Sequence, residues 1–468
     1  MSLEPLVMKV SQKTVIVVGG GISGLSIAYG LRKLGHSVRL LEKEKVPGGF
    51  VKSYFHEGYL VEAGPNSTLD QHEEVQTLCS DLGLDESRIP GNPVSKKRYL
   101  VKNGKLIAVP LGFGAFLKTD LWSMRGKLRL LKEPFVKKGE EKDESVASFF
   151  ERRLGREMVE YGIDPFVSGI YAGDPCRLSV RSTFPRLFNL EQDYGSLLKG
   201  VLFKGKKKRK ETQKGLFSFK SGMGELTQGL SHWLGESVQS GWEVKELDYQ
   251  NNPPKITVKG VTQNRGVACD GDAVVLATPA YWTSHLIHPL CVSLSEHLKG
   301  IHYAPIAMVF LGFDRTAIQH PLDGFGCLIP SREGFDLLGS LWNSTLFPGR
   351  APEGCIATTN FLGGARKPEI LEASDEQLID IVIKELNQLI GVQKAPQFSK
   401  VIRYPYAIPQ FQLGYTEKII QIEKRLEDFP GIFLGGNFLK GVSVADCILN
   451  GLHLSKKVDA FFAVKDGG

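Results

Sequence analysis

The chain has 468 residues, of which 52 are glycine, with 42% hydrophobic and 23% charged residues. This length holds about two or three globular domains, and the composition excludes intrinsic disorder and a collagen-like repeat. The 58 lysines and arginines and the 51 aspartates and glutamates leave a formal charge of +7, a bias too small to identify a class of partner by itself. No apolar run of about 18 residues occurs, so the sequence predicts no transmembrane helix.

The N-terminal residues and the spacing of the cysteines and histidines lead us to expect a cytoplasmic protein. Residues 1–10 are too short for a signal peptide and lack the composition of a transit peptide. The seven cysteines are odd in number and never spaced as CxxC, and the histidines form no HxH or HExxH pair. We therefore expect neither a disulfide framework nor a metal site.

Residues 14–42 give the clearest signal, because a β-branched run, a glycine-rich turn and an apolar helical pattern follow one another. Gly19, Gly21 and Gly24 form the GxGxxG pattern, and Glu42 ends the next predicted strand. In such a unit the glycines permit the tight turn, the approach of a pyrophosphate and close helix packing, and the acid accepts hydrogen bonds from ribose hydroxyls. The segment predicts a dinucleotide-binding domain.

A second glycine pair, Gly48 and Gly49, and the segment EAGPNS at residues 62–67 come next. The dinucleotide-binding pattern does not require either, and both would let backbone run close to an extended cofactor. The arrangement resembles the FAD-binding flavoprotein amine oxidase superfamily, in which these segments continue the FAD site. Phe50 is a departure, since many members of the family have arginine after the second glycine pair.

Residues 112–138 combine aromatic and aliphatic side chains with seven basic and two acidic residues. The pattern predicts a basic amphipathic helix, which either lies at the surface of an anionic membrane or packs on its own domain with a solvated basic face. The run KGKKKRK at residues 204–210 is either a solvated loop or a further attraction to an anionic leaflet. It carries no aromatic residues for base stacking, so we expect no nucleic-acid partner.

The second half of the chain predicts a return to the cofactor domain. Residues 272–280 predict a buried parallel strand, and residues 281–424 mix strand patterns with one helix at Asp375–Leu389, which Ser374 caps. Residues 430–458 predict a strand, a glycine turn and a helix whose N-terminal amides point at an anionic part of the ligand.

The predicted fold class is α/β with mixed α+β character. It combines a Rossmann-like FAD-binding domain, a mixed-sheet substrate-binding domain and a helical, membrane-associating domain. The expected segments are 11–91, 204–290 and 425–464 for the FAD-binding domain, 92–203 for the helical domain and 291–424 for the substrate-binding domain.

Five fragments carry a closer resemblance, to the oxygen-dependent, FAD-containing protoporphyrinogen oxidase family. The strongest are the block at 161–200 and LFSFKSGMGEL at 216–226, and further matches are KKRYLVKNGKLIAVP, PLDGFGCLIPS and GNFLKGVSVADCILNG. The resemblance spans about residues 14–457, and an amine oxidase would share the two ends but not the middle block. Gly363 and Gly364 also match the family, without an assigned role.

The resemblance implies that protoporphyrinogen IX loses six electrons to become protoporphyrin IX. This takes three rounds of flavin reduction, with molecular oxygen as acceptor and hydrogen peroxide as product. Because the tetrapyrrole can lose its N–H protons to water, no dedicated general base is required, and we assign no catalytic acid or base.

The resemblance also implies the substrate-binding residues. Arg98 matches the propionate-binding arginine, and a guanidinium can hold a carboxylate with two hydrogen bonds. Gly169 and Ile170 match positions where backbone approaches the substrate. Phe325, Leu328 and Trp342 are expected as apolar walls, although each could equally belong to a core.

For FAD the matched positions run along the whole chain. They are Gly19, Gly20, Gly21, Ile22, Ser23, Gly24, Glu42, Lys43, Gly49, Phe50, Gly64, Pro65, Asn66, Ser67, Val244 through its backbone, Asn437, Val442, Ser443 and Val444.

Two alternatives to this function stay open. The same fold could oxidise coproporphyrinogen III, which carries four carboxylates, and the net charge does not separate the two substrates. A flavin-fold protein could also bind porphyrin or heme as a carrier without turnover. We further expect peripheral contact with the cytoplasmic face of an anionic membrane, and a homodimer is an open alternative for the assembly.

Overall fold

A computed structural model describes residues 13–205, 215–251 and 254–466. Most of the basic run predicted at 204–210 lies outside these residues. The strands are β1 (Thr14–Val18), β2 (Ser37–Glu42), β3 (Ser53–His56), β4 (Tyr59–Glu62), β5 (Thr68–Leu69), β6 (Arg88–Pro90), β7 (Lys97–Lys102), β8 (Lys105–Ala108), β9 (Leu216–Phe219), β10 (Val238–Ser240), β11 (Trp242–Asn251), β12 (Pro254–Thr262), β13 (Arg265–Gly271), β14 (Ala273–Leu276), β15 (Tyr303–Asp314), β16 (Gly324–Leu328), β17 (Leu337–Leu341), β18 (Cys355–Gly363), β19 (Phe398–Pro409) and β20 (Ile432–Leu434). The helices are α1 (Ile22–Lys33), α2 (Glu73–Asp81), α3 (Phe113–Lys118), α4 (Met124–Leu131), α5 (Val146–Leu154), α6 (Arg156–Met158), α7 (Asp164–Tyr171), α8 (Val180–Thr183), α9 (Pro185–Tyr194), α10 (Leu197–Gly205), α11 (Gly224–Leu234), α12 (Ala280–Ile287), α13 (Val292–Lys299), α14 (Asn343–Leu346), α15 (Asp375–Ile390), α16 (Tyr415–Leu426) and α17 (Val444–Asp466).

A parallel sheet in the order β10-β2-β1-β14-β20 joins segments from both ends of the chain. The predicted strand at the first glycine motif becomes β1, which pairs with β2 on one side and with β14 on the other. Its residues from Val15 to Val18 are buried, as expected for a strand covered on both faces. This is the doubly wound arrangement that binds a ligand at the carboxyl ends of its strands.

Helices α1 and α17 pack side by side on this sheet and run in the same direction. Gly451 lies against Ser26 near the start of both helices, and Gly30 lies against Ser455 farther along. Their N-termini therefore lie at the same edge of the sheet.

A large mixed sheet in the order β19-β15-β18-β17-β16-β7-β8 forms the second layer. Directly paired residues share a face, so the strand register identifies one face that we call the site face. One row of paired residues on the site face is Leu100, Leu328, Gly339, Phe361, Met308 and Ile402.

The opposite face of the large sheet packs on α15. Val101, Val309 and Cys327 belong to that buried cluster, together with Leu378 and Leu386 of the helix. The predicted helix at Asp375 is confirmed: the Ser374 hydroxyl accepts a hydrogen bond from the Gln377 N–H, and the Gln377 side-chain oxygen accepts one from the Ser374 N–H.

The boundary predicted at residue 92 differs from the structure. Residues 97–102 and 105–108 form β7 and β8, which extend the large sheet next to β16 instead of joining the helices that follow. The physical reason is a short hairpin: Asn103 and Gly104 both have positive φ and reverse the chain between the two strands.

The single amphipathic helix predicted within 112–138 is wrong, because the structure has two short helices there. The chain leaves α3 at Thr119 in an extended conformation, and α4 starts afresh where the Ser123 hydroxyl accepts a hydrogen bond from the Gly126 N–H. Lys127 is buried and donates to the carbonyls of Leu117 and Thr119, so one of the basic residues ties the two helices together.

The helical region has a charged centre. Arg153, Glu133 and Glu191 are almost completely buried, and Arg153 is ion-paired with both glutamates. Glu133 also accepts hydrogen bonds from the Ser196 hydroxyl and from the backbone N–H of Leu197. These bonds compensate the charges for leaving water.

Within the ranges that the structure describes, we find no helix with the length and apolarity to cross a bilayer.

Candidate active site

The first glycine motif lies between the ends of β1 and β2 and the second glycine pair. A Cβ on Gly24 would lie 1.9 Å from the Gly19 carbonyl oxygen, so the helix can approach the turn this closely only with glycine at that position. The Gly48 N–H donates to the Gly20 carbonyl at 2.8 Å, and Gly21 and Gly48 form an isolated parallel bridge. The two glycine segments are therefore one backbone surface.

This backbone surface, which we call the cradle, leaves open space in which an extended cofactor can lie. A Cβ on Gly21 would meet only the Gly49 Cα, at 3.9 Å, so the space above the loop is open and a side chain there would fill it. Backbone N–H groups at the start of α1 face this space and can bind a pyrophosphate. The residues present thus fit FAD at this edge of the sheet.

Glu42, at the end of β2, lies at one side of the cradle. Its carboxylate is buried and accepts hydrogen bonds from the Gly20 N–H at 2.5 Å and from the Glu44 N–H at 2.8 Å. Each oxygen retains a lone pair that can accept from a ribose hydroxyl. Lys43 is exposed and lies over the Trp282 ring at 5.6 Å. Val244 lies buried on β11, where the pairing with β12 changes register.

A second helix N-terminus contributes to the same edge. The Ser443 hydroxyl accepts a hydrogen bond from the Asp446 N–H at 3.1 Å and so caps α17, which begins at Val444. Asn437 and Val442 lie in the loop that leads to this cap. Since α1 and α17 run in parallel, the positive ends of two helix dipoles lie at one edge, which favours an anionic ligand.

The segment after the second glycine pair links the cofactor side to the large sheet. Phe50 is 37% exposed and packs edge-on against Tyr404, with ring centroids 4.8 Å apart. The Tyr404 hydroxyl donates to the Ala63 carbonyl at 2.6 Å. Tyr404 follows Ile402 by two residues on β19 and therefore lies on the site face.

The loop of residues 64–67 is anchored in the same way. The Asn343 side-chain amide donates to the Asn66 Oδ1 at 2.5 Å, and Asn343 accepts from the Thr359 hydroxyl at 3.0 Å. Gly64 and Pro65 are partly exposed within this loop, as is Ser67. The proposed flavin-binding loop is thus fixed to β18 of the large sheet.

Arg98 and Phe325 lie together at one end of the site face. Arg98 precedes Leu100 by two residues on β7, so both point to this face. Its guanidinium lies over the Phe325 ring at 5.1 Å, the geometry of a cation–π contact. The Arg98 side chain is exposed, and among the described residues it has no acidic partner within ion-pair distance.

Helix α7 rests on the site face at β16, the strand that also carries Phe325. A Cβ on Gly169 would lie 2.5 Å from the Leu328 Cδ2, so the Leu328 side chain would have to move to admit a larger residue there. Ile170 is 40% exposed, beside the Gly169 contact. We call the surface bounded by α7, the site face and Phe50 the candidate slot.

Sequence reasoning missed two aromatic residues at this surface. Phe166 lies one helical turn before Gly169 and Ile170 and is 45% exposed on the same face of α7. Phe361 lies on β18 in the row of the site face. The i, i+3, i+4 spacing of Phe166 was a usable signal, whereas Phe361 needed the strand register.

Trp342 does not line the slot, and its predicted role as an apolar wall is wrong. Its side chain is completely buried and packs against Tyr99 and His320, with ring centroids 5.5 and 5.1 Å away. The reason is strand parity: Tyr99 alternates with Arg98 and Leu100, so this aromatic cluster lies on the face that packs on α15.

Ionisable groups near the slot serve structure. Burial raises the pKa of Tyr404 to about 12, so its hydroxyl stays protonated as the donor to Ala63. Burial also raises the pKa of Glu62 to about 7, although hydrogen bonds from Ser53 and the Met223 N–H oppose this. Neither group is placed as a base for a substrate on the site face.

Known proteins share this architecture along nearly the whole chain. The model of the flavin-containing amine oxidoreductase family matches residues 22–458. Protoporphyrinogen oxidase 2, chloroplastic/mitochondrial, of Arabidopsis thaliana is 34% identical, covering 97% of this chain and 95% of that relative. Coproporphyrinogen III oxidase of Bacillus subtilis is 29% identical, covering 95% and 97%.

A crystal structure from Exiguobacterium sp. 255-15 superposes with a TM-score of 0.81 at 23% identity, covering 96% of this chain and 99% of that chain, and shows the same fold. The resemblance inferred from the sequence motifs is confirmed by the family match and by the relatives. The chain belongs to the flavin-containing amine oxidoreductase family and is an FAD-dependent oxidoreductase.

Proposed function

We propose that the protein oxidises protoporphyrinogen IX to protoporphyrin IX, with FAD as cofactor and molecular oxygen as acceptor. One observation carries the proposal: Arg98, which has no acidic partner in the part of the chain that the structure describes, stands at the end of an apolar face that a helix and the cofactor edge enclose. A flat apolar macrocycle with a carboxylate at its rim is the substrate shape that this surface fits. The name of the Arabidopsis relative supports the same substrate.

The reaction balances without any other reactant. Each of three rounds removes two electrons and two protons from the macrocycle and converts one oxygen molecule to hydrogen peroxide. When bound, FAD accepts a hydride from carbon and passes the electrons to oxygen.

The chain's own residues bind and orient the substrate. Arg98 holds a propionate, and the Phe325 ring beneath its guanidinium restricts the directions in which it can point. Leu328 and Phe361 present an apolar surface to the macrocycle, and the exposed side chain of Ile170 on α7 adds to it. The protons of the pyrrole N–H groups leave to water, since none of the carboxylates and histidines among the described residues is placed on this face to take them.

The charges around the slot favour two carboxylates over four. Arg332 is paired with Glu160, and Lys97 is paired with Asp323, so neither side chain is a free cation at this rim. Arg98 has no such partner among the described residues. Coproporphyrinogen III, the substrate named for the Bacillus relative, would bring two more carboxylates that need partners.

A competition experiment tests the proposed substrate. Purified FAD-loaded protein is given equal concentrations of protoporphyrinogen IX and coproporphyrinogen III, and the two porphyrins are separated and quantified by fluorescence while oxygen uptake is recorded. We expect preferential formation of protoporphyrin IX with one oxygen consumed per two electrons. A preference for coproporphyrinogen III would overturn the proposal, and a flavin absorbance that never bleaches under either substrate would favour a carrier.

We also propose that the helical region makes peripheral contact with an anionic membrane at its cytoplasmic face. Large apolar side chains of α3, α4 and the following turn are exposed, including Phe113 at 71%, Leu128 at 56% and Phe135 at 86%. Basic side chains lie among them, and each can add about 1 kcal/mol of attraction near an anionic leaflet. Cosedimentation with vesicles of anionic and of neutral lipid tests this, and equal recovery in the supernatant with both would contradict it.

A further inference from the structure

The loop that follows β18 connects both walls of the candidate slot. Strand β18 carries Phe361 on the site face, and only a few residues later the loop meets α7, which carries Gly169 and Ile170. Gly363 ends the strand and Gly364 begins the loop, and the sequence analysis assigned this pair no role.

Its first contact is with the C-terminal end of α7. Gly364 has φ +81°, and a Cβ there would lie 2.6 Å from the Ala172 carbonyl oxygen. The Ala365 N–H donates to that same oxygen at 2.7 Å, and Ala172 is itself the left-handed residue that ends α7. Glycine at 364 is therefore what allows the loop to receive the helix end.

Its second contact is with the first turns of α7. The Arg366 guanidinium is ion-paired with the buried Asp164 and donates a hydrogen bond to the buried Ser168 hydroxyl, one helical turn later. The other Asp164 oxygen accepts from the Ser331 N–H at 2.8 Å, which ties the helix start to the segment after β16. The planar guanidinium fixes two points of the helix at once.

We propose that Arg366 is a positioning residue that sets the separation between α7 and the site face, and so the width of the slot for the macrocycle. The identity of the substrate in this assignment rests on the proposed function, whereas the role of Arg366 in holding α7 does not depend on it. Gly169 already lies in contact with Leu328, so a small shift of α7 changes the space at the point where the helix rests on the sheet. A misplacement of about 1 Å at a binding surface is enough to cost one to two orders of magnitude in rate.

The chain supplies a matched control. Arg403 is also 29% exposed and is also ion-paired with an aspartate of a helix, Asp375, and its second contact is a hydrogen bond to the Ala373 carbonyl. It holds α15, on the opposite face of the same sheet. Removing either guanidinium deletes an ion pair to an aspartate, which is 7% exposed for Asp164 and 55% exposed for Asp375, and only Arg366 contacts α7.

The test compares Arg366→Met and Arg403→Met in the full FAD-loaded protein. For Arg366→Met we expect KM for protoporphyrinogen IX to rise about tenfold, kcat to change less than about threefold, and the flavin content and absorbance spectrum to stay those of the wild type. For Arg403→Met we expect both kinetic constants within about twofold of the wild type. Equal effects of the two variants, or an unchanged KM in Arg366→Met, would overturn the proposal.

Hydrogen exchange gives a readout that needs no substrate. Peptides covering residues 159–173 should exchange faster in Arg366→Met and at the wild-type rate in Arg403→Met. If the wild type does not oxidise porphyrinogens, the proposed function fails, and this exchange result alone decides whether Arg366 fixes α7. Where Arg366→Met does not fold, Ser168→Ala keeps the ion pair and removes one contact, and it should show the same exchange pattern with a KM rise of about threefold; wild-type exchange and an unchanged KM would overturn the role.

Discussion

The cofactor edge is built mainly from backbone groups, whereas the candidate slot is built from side chains. At the cofactor edge, backbone groups of neighbouring glycine segments face the ligand, as in the bridge between Gly21 and Gly48. At the slot, side chains from strands far apart in sequence, such as Arg98 and Phe361, are brought to one face by register. The first kind of site depends on the absence of side chains at a few positions, and the second depends on which way each side chain points.

Truncating Trp342 tests whether this residue belongs to the core or to the candidate slot. A residue of the slot wall would affect substrate binding when truncated. Because Trp342 fills the core behind the sheet, we expect Trp342→Ala to lower the free energy of unfolding by about 3–5 kcal/mol. In the fraction that remains folded, KM for protoporphyrinogen IX should be unchanged. Urea unfolding and steady-state kinetics measure the two, and a raised KM without loss of stability would place Trp342 in the slot after all.

A side chain in the first glycine motif should affect the cofactor edge alone. Gly24→Ala puts a Cβ against the Gly19 carbonyl, so we expect a loss of about 1–3 kcal/mol and protein that purifies with little FAD. The ratio of flavin to protein absorbance measures it. Gly114→Ala is the control, since a Cβ there meets no neighbour, and it should retain FAD fully. Full flavin content in Gly24→Ala would contradict the close packing described here.

Removing the Arg98 guanidinium should affect the slot alone. For Arg98→Ala we expect KM to rise, with a loss of about 2 kcal/mol in transition-state binding, because a charge-assisted hydrogen bond to a carboxylate is lost. Flavin content should equal that of the wild type. Arg98→Lys keeps the charge but not the paired geometry and should lie between the two. Unchanged kinetics in Arg98→Ala would remove this residue from the site.

Glu62, buried where the two regions meet, gives an effect that depends on pH. Burial raises its pKa in the folded state to about 7, from an ordinary value of 4.5, so the folded state holds its proton more tightly than the unfolded one. This stabilisation is complete below about pH 4.5 and is lost as the pH rises towards and through 7, with a slope of at most about 1.4 kcal/mol per pH unit. Comparing the unfolding of the wild type and Glu62→Gln from pH 5 to 8 measures the difference, and a parallel pH dependence of the two would contradict it.

The sequence predicts the structure of the cofactor edge better than that of the candidate slot. The glycine turn, Glu42 and the capped helix at Ser374 follow from spacing and local hydrogen bonding, and the structure has the strand, turn and helix where those patterns place them. Local patterns suffice there because the groups that interact are close along the chain or belong to one motif.

The slot required information that no local pattern holds. Trp342 and Phe361 are both apolar residues in strand-like surroundings, and only their pairing in the sheet puts one in the core and the other on the site face. A shift of one residue in register would exchange the two faces. The helix predicted at 112–138 is interrupted before Ser123, a residue type that often begins helices and therefore a local signal. The burial of Lys127 has no local signal, because it depends on the folded position of the carbonyls of Leu117 and Thr119.

Because the helical region has a buried charged centre, its stability and the properties of its surface depend on different residues. Arg153 and its two glutamates join the segments of this region from within, so the exposed apolar residues of α3, α4 and α10 contribute little to its stability. Replacing exposed residues such as Leu128 or Leu202 by serine should then change solubility and lipid affinity while the melting temperature stays nearly constant. The same protein could be made more soluble or more lipid-bound by surface substitution, with the enzyme behind it left as it is.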